Sequence, residues 1–365
     1  MNEIDYIADF SVPNKSAYAV HVFKICDSFV KQKYKLNLYL YSNENTISFR
    51  KIKKDYKLKN NYKVHYCFKK KRNRNIFNNL LFAFWLKKKI NIKSFVLSRS
   101  IIPALLLKLF GFKIILEVHH EMSGLTKNIF NLLSKFNPIN NLDYIFIHKN
   151  LKKKFNKKNN KCIILDDGVE LNDFKLSVRT KKNCVYTGSF APGKGLEFFA
   201  ELAKNNPKTK FYAYGNASNY NYKIFYKNIK NLKFMNYVFY NKIPRVLKSN
   251  LILLMPYRRQ IGILAKNISV ENYISPLKLF EYLASSNLII ASKLSVYAHI
   301  LKHRYNCFLC NPENIKEWNH YINKILETPN KFSSIKKNAF NTAKKFTWDN
   351  RAKNISKFFI KRFQK

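Results

Sequence analysis

The sequence predicts an α/β protein with two domains, each built on a parallel β-sheet. The chain has 365 residues, of which 47% are hydrophobic and 16% aromatic, so it can bury two cores. Short apolar segments of strand length alternate with helical segments, and this pattern is typical of parallel sheets covered by helices on both faces. The alternation stops in a polar segment at residues 173–183 and then restarts. The two halves of the chain are therefore expected to fold as two βαβ-type domains.

The first half contains one clearly amphipathic helix and six predicted strands. The helix covers residues 16–31 and places Ala19, Phe23, Cys26 and Val30 on one face. The six apolar segments of strand length are 4–10, 36–41, 94–99, 113–118, 144–148 and 162–165.

The second half repeats the pattern. Its predicted strands begin at Cys184 and continue at 211–214, 233–235, 251–255 and 288–291. We place the hinge in residues 173–183, because this stretch is charged and has no periodicity. The predicted domains are therefore residues 1–175 and 176–347, and a last helix covers residues 348–365.

One segment of the second half has the features of a helix start that binds an anion. Ser275 is a good N-cap residue, and Pro276 suits the first helical position. Lys278 falls in the first turn, where the helix dipole disfavours a cation. A bound phosphate would remove this conflict and use the free N–H groups of Leu277 and Lys278. The alternative is an ordinary solvated lysine in a lysine-rich chain.

The same helix carries a carboxylate one turn further on. Glu281 lies at the edge of an apolar stripe formed by Leu279, Phe280 and Leu283. This position is within reach of ligand hydroxyl groups, so Glu281 is a candidate for binding the same ligand.

A second segment has the features of a phosphate-binding loop. An apolar strand from Cys184 is followed by a Gly/Pro loop that contains Ser189 and ends in Lys194-Gly195, and a helix follows at residues 196–203. Strand, small-residue loop and helix can cradle a phosphate, with Lys194 as the point charge. The spacing is not that of a P-loop.

These two segments together resemble the donor half of family 4 glycosyltransferases, which are retaining enzymes of the GT-B fold. Further segments resemble motifs of that family in the same order, so the resemblance covers nearly the whole chain; these segments are residues 11–22, 117–121, 166–174 and 346–352. The family implies two Rossmann-like domains that face each other across a cleft. It also implies that the last helix packs back on the N-terminal domain.

The resemblance implies which residues bind the nucleotide-sugar donor. They are Ser189, Lys194, Gly195, Ser275, Pro276, Leu277, Lys278, Leu279 and Glu281. Lys194 would contact the phosphates and Glu281 the ribose, while His119 in the acceptor half would approach the transferred sugar. These three are the candidate catalytic residues. His120, beside His119, is the alternative side chain at this strand end.

The sequence departs from the family pattern at several positions. Tyr273 stands where the first glutamate of the E-x7-E motif is expected, and Glu271 is near but out of register. Ser189 replaces an arginine of the first donor loop, and Ser16 and Ala17 replace paired glycines near the N-terminus. The residue that holds the sugar hydroxyls is therefore left open.

The chain is strongly basic, with 68 Lys and Arg against 21 Asp and Glu and a formal charge of +47. Such a field attracts polyanions or anionic lipids, although an A/T-rich genome would also enrich lysine. Basic clusters at residues 68–74 and 87–89 flank an aromatic-rich helix at 76–86. This arrangement suits an interfacial anchor on an anionic membrane surface, and the alternative is a buried helix with solvated ends.

Other features favour a reduced, cytoplasmic protein without a cofactor. The six cysteines are scattered, and the lone pair Cys307 and Cys310 is weak evidence for zinc. No Asp-x-Asp motif indicates a metal site, and neither a signal peptide nor a long apolar span is recognisable. We expect a peripheral protein on the inner face of the cytoplasmic membrane that acts on a saccharide, lipid-linked in the simplest case.

Two other classes of function remain as alternatives. A GT-B-like sugar-nucleotide epimerase would share the fold and the donor site. A basic nucleic-acid-binding protein would explain the charge, but the basic residues are spread along the chain and form no binding motif, so we expect no nucleic acid as partner. A glycosidase is disfavoured, because no pair of carboxylates presents itself as acid and nucleophile.

Overall fold

A computed structural model describes residues 3–44, 46–70, 72–155, 161–215, 226–259, 262–263, 266–269 and 272–363. The chain divides into two compact units: unit 1 comprises Met1–Asp167 and Trp348–Lys365, and unit 2 comprises Gly168–Thr347. Each unit contains one large parallel β-sheet with flanking helices, so the predicted α/β class with two Rossmann-like domains is confirmed.

Unit 1 is built on a seven-stranded parallel sheet. Its strands are β1 (Glu3–Val12), β2 (Lys35–Asn43), β3 (Lys63–Phe68), β4 (Phe95–Ser98), β5 (Ile114–Val118), β6 (Asp143–Phe146) and β7 (Cys162–Ile164). Its helices are α1 (Ala17–Lys31), α2 (Phe49–Tyr56), α3 (Ile76–Lys89), α4 (Ile101–Leu109), α5 (Gly124–Leu133), α6 (Asn137–Asn140), α7 (Lys149–Phe155) and α13 (Trp348–Phe363). The strand order is β3-β2-β1-β4-β5-β6-β7.

The last helix, α13, belongs to unit 1 and packs against α1. The Ser16 hydroxyl caps α1 by accepting from the amide of Ala19 at 3.4 Å. The ring of Phe359 on α13 stacks on Phe95 of β4, with ring centres 5.2 Å apart. The apolar face of α13 is thus part of the core of unit 1.

Unit 2 is built on a six-stranded parallel sheet. Its strands are β8 (Lys181–Thr187), β9 (Phe211–Tyr214), β10 (Leu232–Met235), β11 (Asn250–Met255), β14 (Leu288–Ser292) and β15 (Phe308–Cys310), and β12 (Gly262–Ile263) and β13 (Lys266–Ser269) form a separate antiparallel pair. Its helices are α8 (Leu196–Asn205), α9 (Ile243–Lys248), α10 (Leu277–Ala284), α11 (Ile315–Glu327) and α12 (Ser333–Ala343). The order in the large sheet is β10-β9-β8-β11-β14-β15.

The division between the units lies at Asp167, earlier than the boundary expected after residue 175. Val169 forms a bridge with Thr347, and its amide donates to the carbonyl of Phe346 at 2.9 Å. Phe174 is buried at the end of a short 3-10 helix. These contacts attach residues 168–175 to unit 2, although the sequence analysis assigns them to the first domain.

Two strands at sheet edges, β3 and β15, were not predicted from the sequence. The side chains of β3 are half-buried on both faces, so its sequence carries no clear period-2 signal. β15 has only three residues and overlaps the Cys307/Cys310 pair. Both strands pair with one neighbour, β3 with β2 and β15 with β14.

Each sheet has a topological switch point, where the chain changes the direction in which it adds strands. In unit 1 this point lies between β1 and β4, and in unit 2 between β8 and β11. Ligands of open parallel sheets bind beyond the carboxyl ends of the strands at such points. Among the described helices, none is both long and apolar enough to cross a membrane.

Candidate active site

The loop after β8 is pressed against the end of β11 at the switch point of unit 2. Gly195 has φ +77°, and a Cβ atom there would lie 1.7 Å from the carbonyl oxygen of Pro256. The amide of Arg258 donates to the carbonyl of Gly193 at 2.9 Å. The close approach requires glycine at position 195 and fixes the loop that carries Lys194.

The two lysines that the sequence assigns to phosphate binding converge on one aromatic ring. The Nζ atom of Lys194 lies 4.6 Å from the centre of the Tyr257 ring, and that of Lys278 lies 5.0 Å from the same centre. Lys278 also lies 3.7 Å above the ring of Tyr186. A Cβ atom on Gly188 would lie 2.7 Å from this ammonium group. The two predicted segments thus form one site.

The site brings the positive charges of Lys194 and Lys278 together, with Glu281 as a nearby carboxylate that favours the charged form of Lys278. This side chain is buried, and its Nζ atom has no hydrogen-bond partner among the described residues. Burial and the neighbouring charge of Lys194 hold the pKa of Lys278 well below its usual value. Burial alone lowers the pKa of Lys194 to about 8. A buried cation without a hydrogen-bond partner is costly, and a bound anion would remove that cost.

The helix at this site begins one residue later than its sequence suggests. Leu277 is the first helical residue of α10, and Pro276, with ψ 126°, is the N-cap instead of Ser275. Proline has no side-chain oxygen, so this N-cap residue makes no side-chain hydrogen bond to the helix. Helix geometry leaves the N–H groups of Leu277 and Lys278 without an intrahelical partner, so they are available to an anion.

The rest of α10 is held against the end of β8. The Tyr282 hydroxyl accepts from the amide of Thr187 at 3.0 Å. Glu281 is buried near Lys278, whose protonated form it favours. Leu279 is buried in the core, and Ser189 offers its carbonyl oxygen to the Tyr186 hydroxyl at 2.8 Å.

In unit 1, a buried polar network surrounds Glu117 at the end of β5. His119 Nε2 lies 2.9 Å from Glu117 Oε1, and a guanidinium nitrogen of Arg351, on α13, contacts the same oxygen. The Tyr6 hydroxyl donates to Glu117 Oε2 at 2.7 Å. His21 Nε2 is also 2.9 Å from Oε1, as an ion-pair contact without good hydrogen-bond alignment.

The network determines the protonation state of His119. Burial would raise the pKa of Glu117, but His21, Arg351 and the hydrogen bonds of the network hold it well below its usual value. Burial, followed by the charge of Arg99, lowers the pKa of His119 to about 3. Neutral His119 therefore donates through Nε2 to the carboxylate and presents Nδ1 as an acceptor. Its side chain is 13% exposed, so a ligand can reach it.

His120 points elsewhere, because its Nδ1 lies 3.0 Å from the carbonyl oxygen of Glu121. Of the two adjacent histidines, only His119 joins the Glu117 network in the described part of the chain.

One group of side chains has the spacing of metal ligands. Nitrogen and oxygen atoms of His21, His119 and Asp167 lie within 4.8 Å of one another. However, His21 Nδ1 is already paired with Asp167 at 2.7 Å, and His119 with Glu117. A metal ion would have to break these pairs beside the positive charge of Arg351. The donor set is better suited to an ion-pair network.

The Cys307/Cys310 pair is not arranged as a metal site in unit 2. Both thiols are buried, and burial raises the pKa of Cys307 to about 12. Cys310 belongs to the hydrophobic core of unit 2, so these groups behave as core side chains.

Several residues of these sites are not recognisable from the sequence. Tyr186 and Tyr257 read as core aromatics, although the position of Tyr257 just after β11 is the one available signal. His21 and Arg351 lie far from Glu117 in the chain, and only folding brings them together.

A comparison with protein families agrees with the geometry of unit 2. Residues 168–342 match the model of the family described as glycosyl transferases group 1, which covers nearly all of this unit. The chain is a glycosyltransferase. Among curated protein sequences, none matches this glycosyltransferase significantly.

Solved structures share the fold of this glycosyltransferase over almost its whole length. HepE of Anabaena, solved in complex with UDP and glucose, is 12% identical, with 97% of this chain and 98% of that chain covered and a TM-score of 0.71. Sucrose-phosphate synthase of Thermosynechococcus elongatus is 11% identical, with full coverage of both chains and a TM-score of 0.75. WaaG, described as a glycosyltransferase involved in lipopolysaccharide biosynthesis, is 10% identical, with 98% and 99% covered and a TM-score of 0.65. The glycosyltransferase thus has the GT-B fold.

Proposed function

We propose that this enzyme belongs to the retaining family 4 and transfers a hexosyl group from a UDP- or GDP-sugar bound by unit 2. The observation that carries the proposal is the convergence of Lys194 and Lys278 on Tyr257 at the switch point. The ammonium group of Lys278, which has no hydrogen-bond partner among the described residues, and the first amides of α10 are the donors that one anion would use. A nucleoside diphosphate has the charge and the oxygen atoms to fill such a site.

The same groups explain how the glycosidic bond would break. Negative charge develops on the leaving diphosphate, and fixed ammonium and amide groups stabilise it in the transition state without a metal ion. Glu281, on the same helix, binds the ribose hydroxyls. In unit 1, the neutral His119 offers Nδ1 to a hydroxyl of the transferred sugar. Retention of configuration rests on the family resemblance.

The test is a thermal-shift panel of UDP-, GDP-, ADP- and CMP-sugars, followed by a transfer assay with the nucleotide sugar that stabilises the protein most. A ligand that binds only the native state must raise the unfolding temperature. We expect one uridine or guanosine nucleotide sugar to do so, equally with EDTA and with Mg²⁺. Activity that EDTA abolishes and Mg²⁺ restores contradicts the metal-independent mechanism, and an inverted anomeric centre in product NMR contradicts retention.

We further propose that the acceptor is a lipid-linked cell-envelope saccharide, reached from the inner face of the cytoplasmic membrane. Three apolar side chains of α3 project into solvent: Phe77, Leu81 and Phe84, which are 65%, 37% and 50% exposed. Basic residues precede this helix, and Lys87, Lys88 and Lys89 form its last turn. The involvement of WaaG in lipopolysaccharide biosynthesis agrees with such an acceptor.

Two aromatic side chains of the aromatic-rich helix predicted at residues 76–86 are not free to enter a membrane. Phe82 is fully buried and packs edge-on against Tyr41, so it belongs to the core of unit 1. Trp85 is half-buried and stacks on Phe82. Phe77 and Phe84 are the aromatic side chains free to enter a lipid interface. Lys71, one of the proposed basic residues, lies outside the described residues.

A further inference from the structure

The switch point of unit 1 carries a cation that the donor site does not use. Arg99 directly follows β4, and its amide donates to the carbonyl of Ile7 in β1 at 3.0 Å. It therefore lies at the junction where the strand order reverses, the usual place for a ligand in an open parallel sheet.

The guanidinium group of Arg99 is only partly satisfied by the protein. It lies 4.1 Å above the ring of Tyr18 on α1. Its Nη1 atom is buried and has no hydrogen-bond partner among the residues that the structure describes. A buried N–H group of a charged side chain that lacks a partner is costly, so the arrangement is incomplete without an acceptor.

The carboxylate that contacts the same tyrosine is already paired. Asp9 accepts from the Tyr18 hydroxyl at 2.8 Å, and Arg74 Nη1 lies 3.8 Å from Asp9 Oδ1 and donates to the Asp9 carbonyl at 3.3 Å. Tyr18 thus connects the two charges, with its edge on Asp9 and its face on Arg99. Because Arg74 offsets Asp9, the positive charge of Arg99 is left in excess.

Arg99 also lies at the same sheet edge as His119, the side chain that we place beside the transferred sugar. The strands β4 and β5 are neighbours, with Ser98 opposite Leu116, so Arg99 and His119 follow adjacent strands. The charge of Arg99 accordingly contributes to the lowered pKa of His119. A group that binds Arg99 would therefore belong to the molecule that receives the sugar, since the donor phosphates are held in unit 2.

We propose that Arg99, stacked on Tyr18, forms a subsite for an acidic group, a phosphate or a carboxylate, on the acceptor. The acceptor is then an anionic saccharide or phosphate ester and not a neutral glycan. The assignment of the anion to the acceptor rests on the proposed function. The binding of an anion by Arg99 does not.

Binding of small anions tests the subsite directly. The probes are glycerol 3-phosphate and glucuronate, with glycerol and glucose as neutral counterparts. Measurements use the full chain with Lys194→Met and Lys278→Met, so that the cations of unit 2 cannot bind the probes. We expect saturable binding of at least one anion, neither neutral probe to bind, and affinity to fall with added salt.

Substitutions assign the binding to Arg99. In the same background, Arg99→Gln should lower the affinity for the anion about tenfold or more, which is the effect of losing one charge-assisted hydrogen bond. Arg99→Lys should restore part of this affinity. The matched control is Arg50→Gln on α2, an exposed arginine of the same unit, which should change nothing. If only glycerol 3-phosphate binds, the subsite is specific for a phosphate, and if only glucuronate binds, it is specific for a carboxylate. Equal affinity in the wild-type and Arg99→Gln proteins, or no binding of either anion, overturns the proposal.

One further measurement separates this subsite from the proposed function. Slow release of UDP from UDP-glucose, or of the nucleotide from the best donor in the panel, is followed with the wild-type enzyme without acceptor. If no nucleotide sugar reacts while Arg99-dependent anion binding persists, the proposed function fails and the anion site stands. If donor hydrolysis occurs and Arg99→Gln leaves anion binding unchanged, the subsite alone fails.

Discussion

The ammonium group of Lys278 lies 3.7 Å above the ring of Tyr186, buried and without a hydrogen-bond partner among the described residues. An aromatic face attracts a cation but does not replace the water lost on burial. This position is the one expected for a side chain whose partner is an anionic ligand.

Replacing Lys278 by methionine should therefore separate binding from stability. We expect Lys278→Met to bind the best nucleotide sugar of the panel roughly 10- to 100-fold more weakly, as for the loss of one charged contact of about 1.5–3 kcal/mol. The unfolding temperature should stay the same or rise, because a buried polar group without a hydrogen-bond partner among the described residues is removed. Titration calorimetry and thermal unfolding measure the two effects. The control is Lys204→Met, an exposed lysine on α8. Unchanged donor affinity in Lys278→Met contradicts the site.

Donor binding should depend on pH in a defined direction. Burial lowers the pKa of Lys194 to about 8 in the ligand-free site, and a bound diphosphate favours the ammonium form. The complex therefore takes up protons, and affinity for UDP should fall as the pH rises from about 7 to 9. Calorimetry in two buffers of different ionisation enthalpy measures the uptake. The uptake should shrink in Lys194→Met. Affinity that rises over this range contradicts the assignment.

The same pKa predicts the opposite trend for stability without ligand. Lys194 has a lower pKa in the folded state than in the unfolded chain, so the unfolded state binds more protons between pH 8 and the usual lysine range. The free energy of unfolding of the ligand-free protein should accordingly rise with pH in that window. Lys194→Met should remove this contribution in denaturant titrations.

The glycine loop should tolerate no side chain where it meets β11. Gly195→Ala places a Cβ atom 1.7 Å from the Pro256 carbonyl, so the backbone must move and donor affinity must drop. Gly111→Ala is the matched control, because φ is +87° there and a Cβ would meet only Ile92 at 3.9 Å. That control should cost only the left-handed strain, about 1–2 kcal/mol. If both variants are equally stable and bind donor equally, the close approach is unimportant.

The ion pair between Glu117 and Arg351 should couple the last helix to the core of unit 1. Arg351→Met leaves a buried carboxylate and should destabilise the protein by about 3–5 kcal/mol. The double variant with Glu117→Gln should cost less than the two single changes together. Since the pKa of Glu117 is held low, its contribution is present above the usual glutamate range and is lost as the pH falls below it. Acid titration of the wild type and of Glu117→Gln measures the difference. Additive effects would remove the basis for this coupling.

Membrane binding should depend on both the charge and the apolar side chains of α3. Each lysine near an anionic leaflet contributes about 1 kcal/mol. We expect flotation with phosphatidylglycerol vesicles, release at 1 M salt, where the screening length falls to about 3 Å, and no binding to zwitterionic vesicles. Neutralising Lys69, Lys70, Lys71, Arg72 and Arg74 should weaken binding, as should Phe77→Ser with Phe84→Ser.

The control for flotation neutralises five exposed lysines of unit 2: Lys204, Lys208, Lys210, Lys230 and Lys233. If this control weakens flotation as much as the α3 variant does, net charge alone attracts the protein and α3 is no anchor.

The sequence alone was enough for the fold class and for the two segments whose lysines, Lys194 and Lys278, converge on Tyr257. Parallel strands carry long apolar runs, and the loops after them carry glycine, proline and lysine for local reasons, so Lys194 and Lys278 were recognisable. The start of α10 was misplaced by one residue, because a capping preference alone does not fix the terminal residue of a helix.

Only the tertiary structure decided which side chains meet. Tyr257 joins the two lysines, Arg351 crosses the chain to Glu117, and Arg99 stacks on Tyr18. None of these pairs is local, so no periodicity or spacing records them. The charge of a lysine is visible in the sequence, but whether that charge is solvated, paired or left open for a ligand depends on burial, which exists only after the sheets have formed.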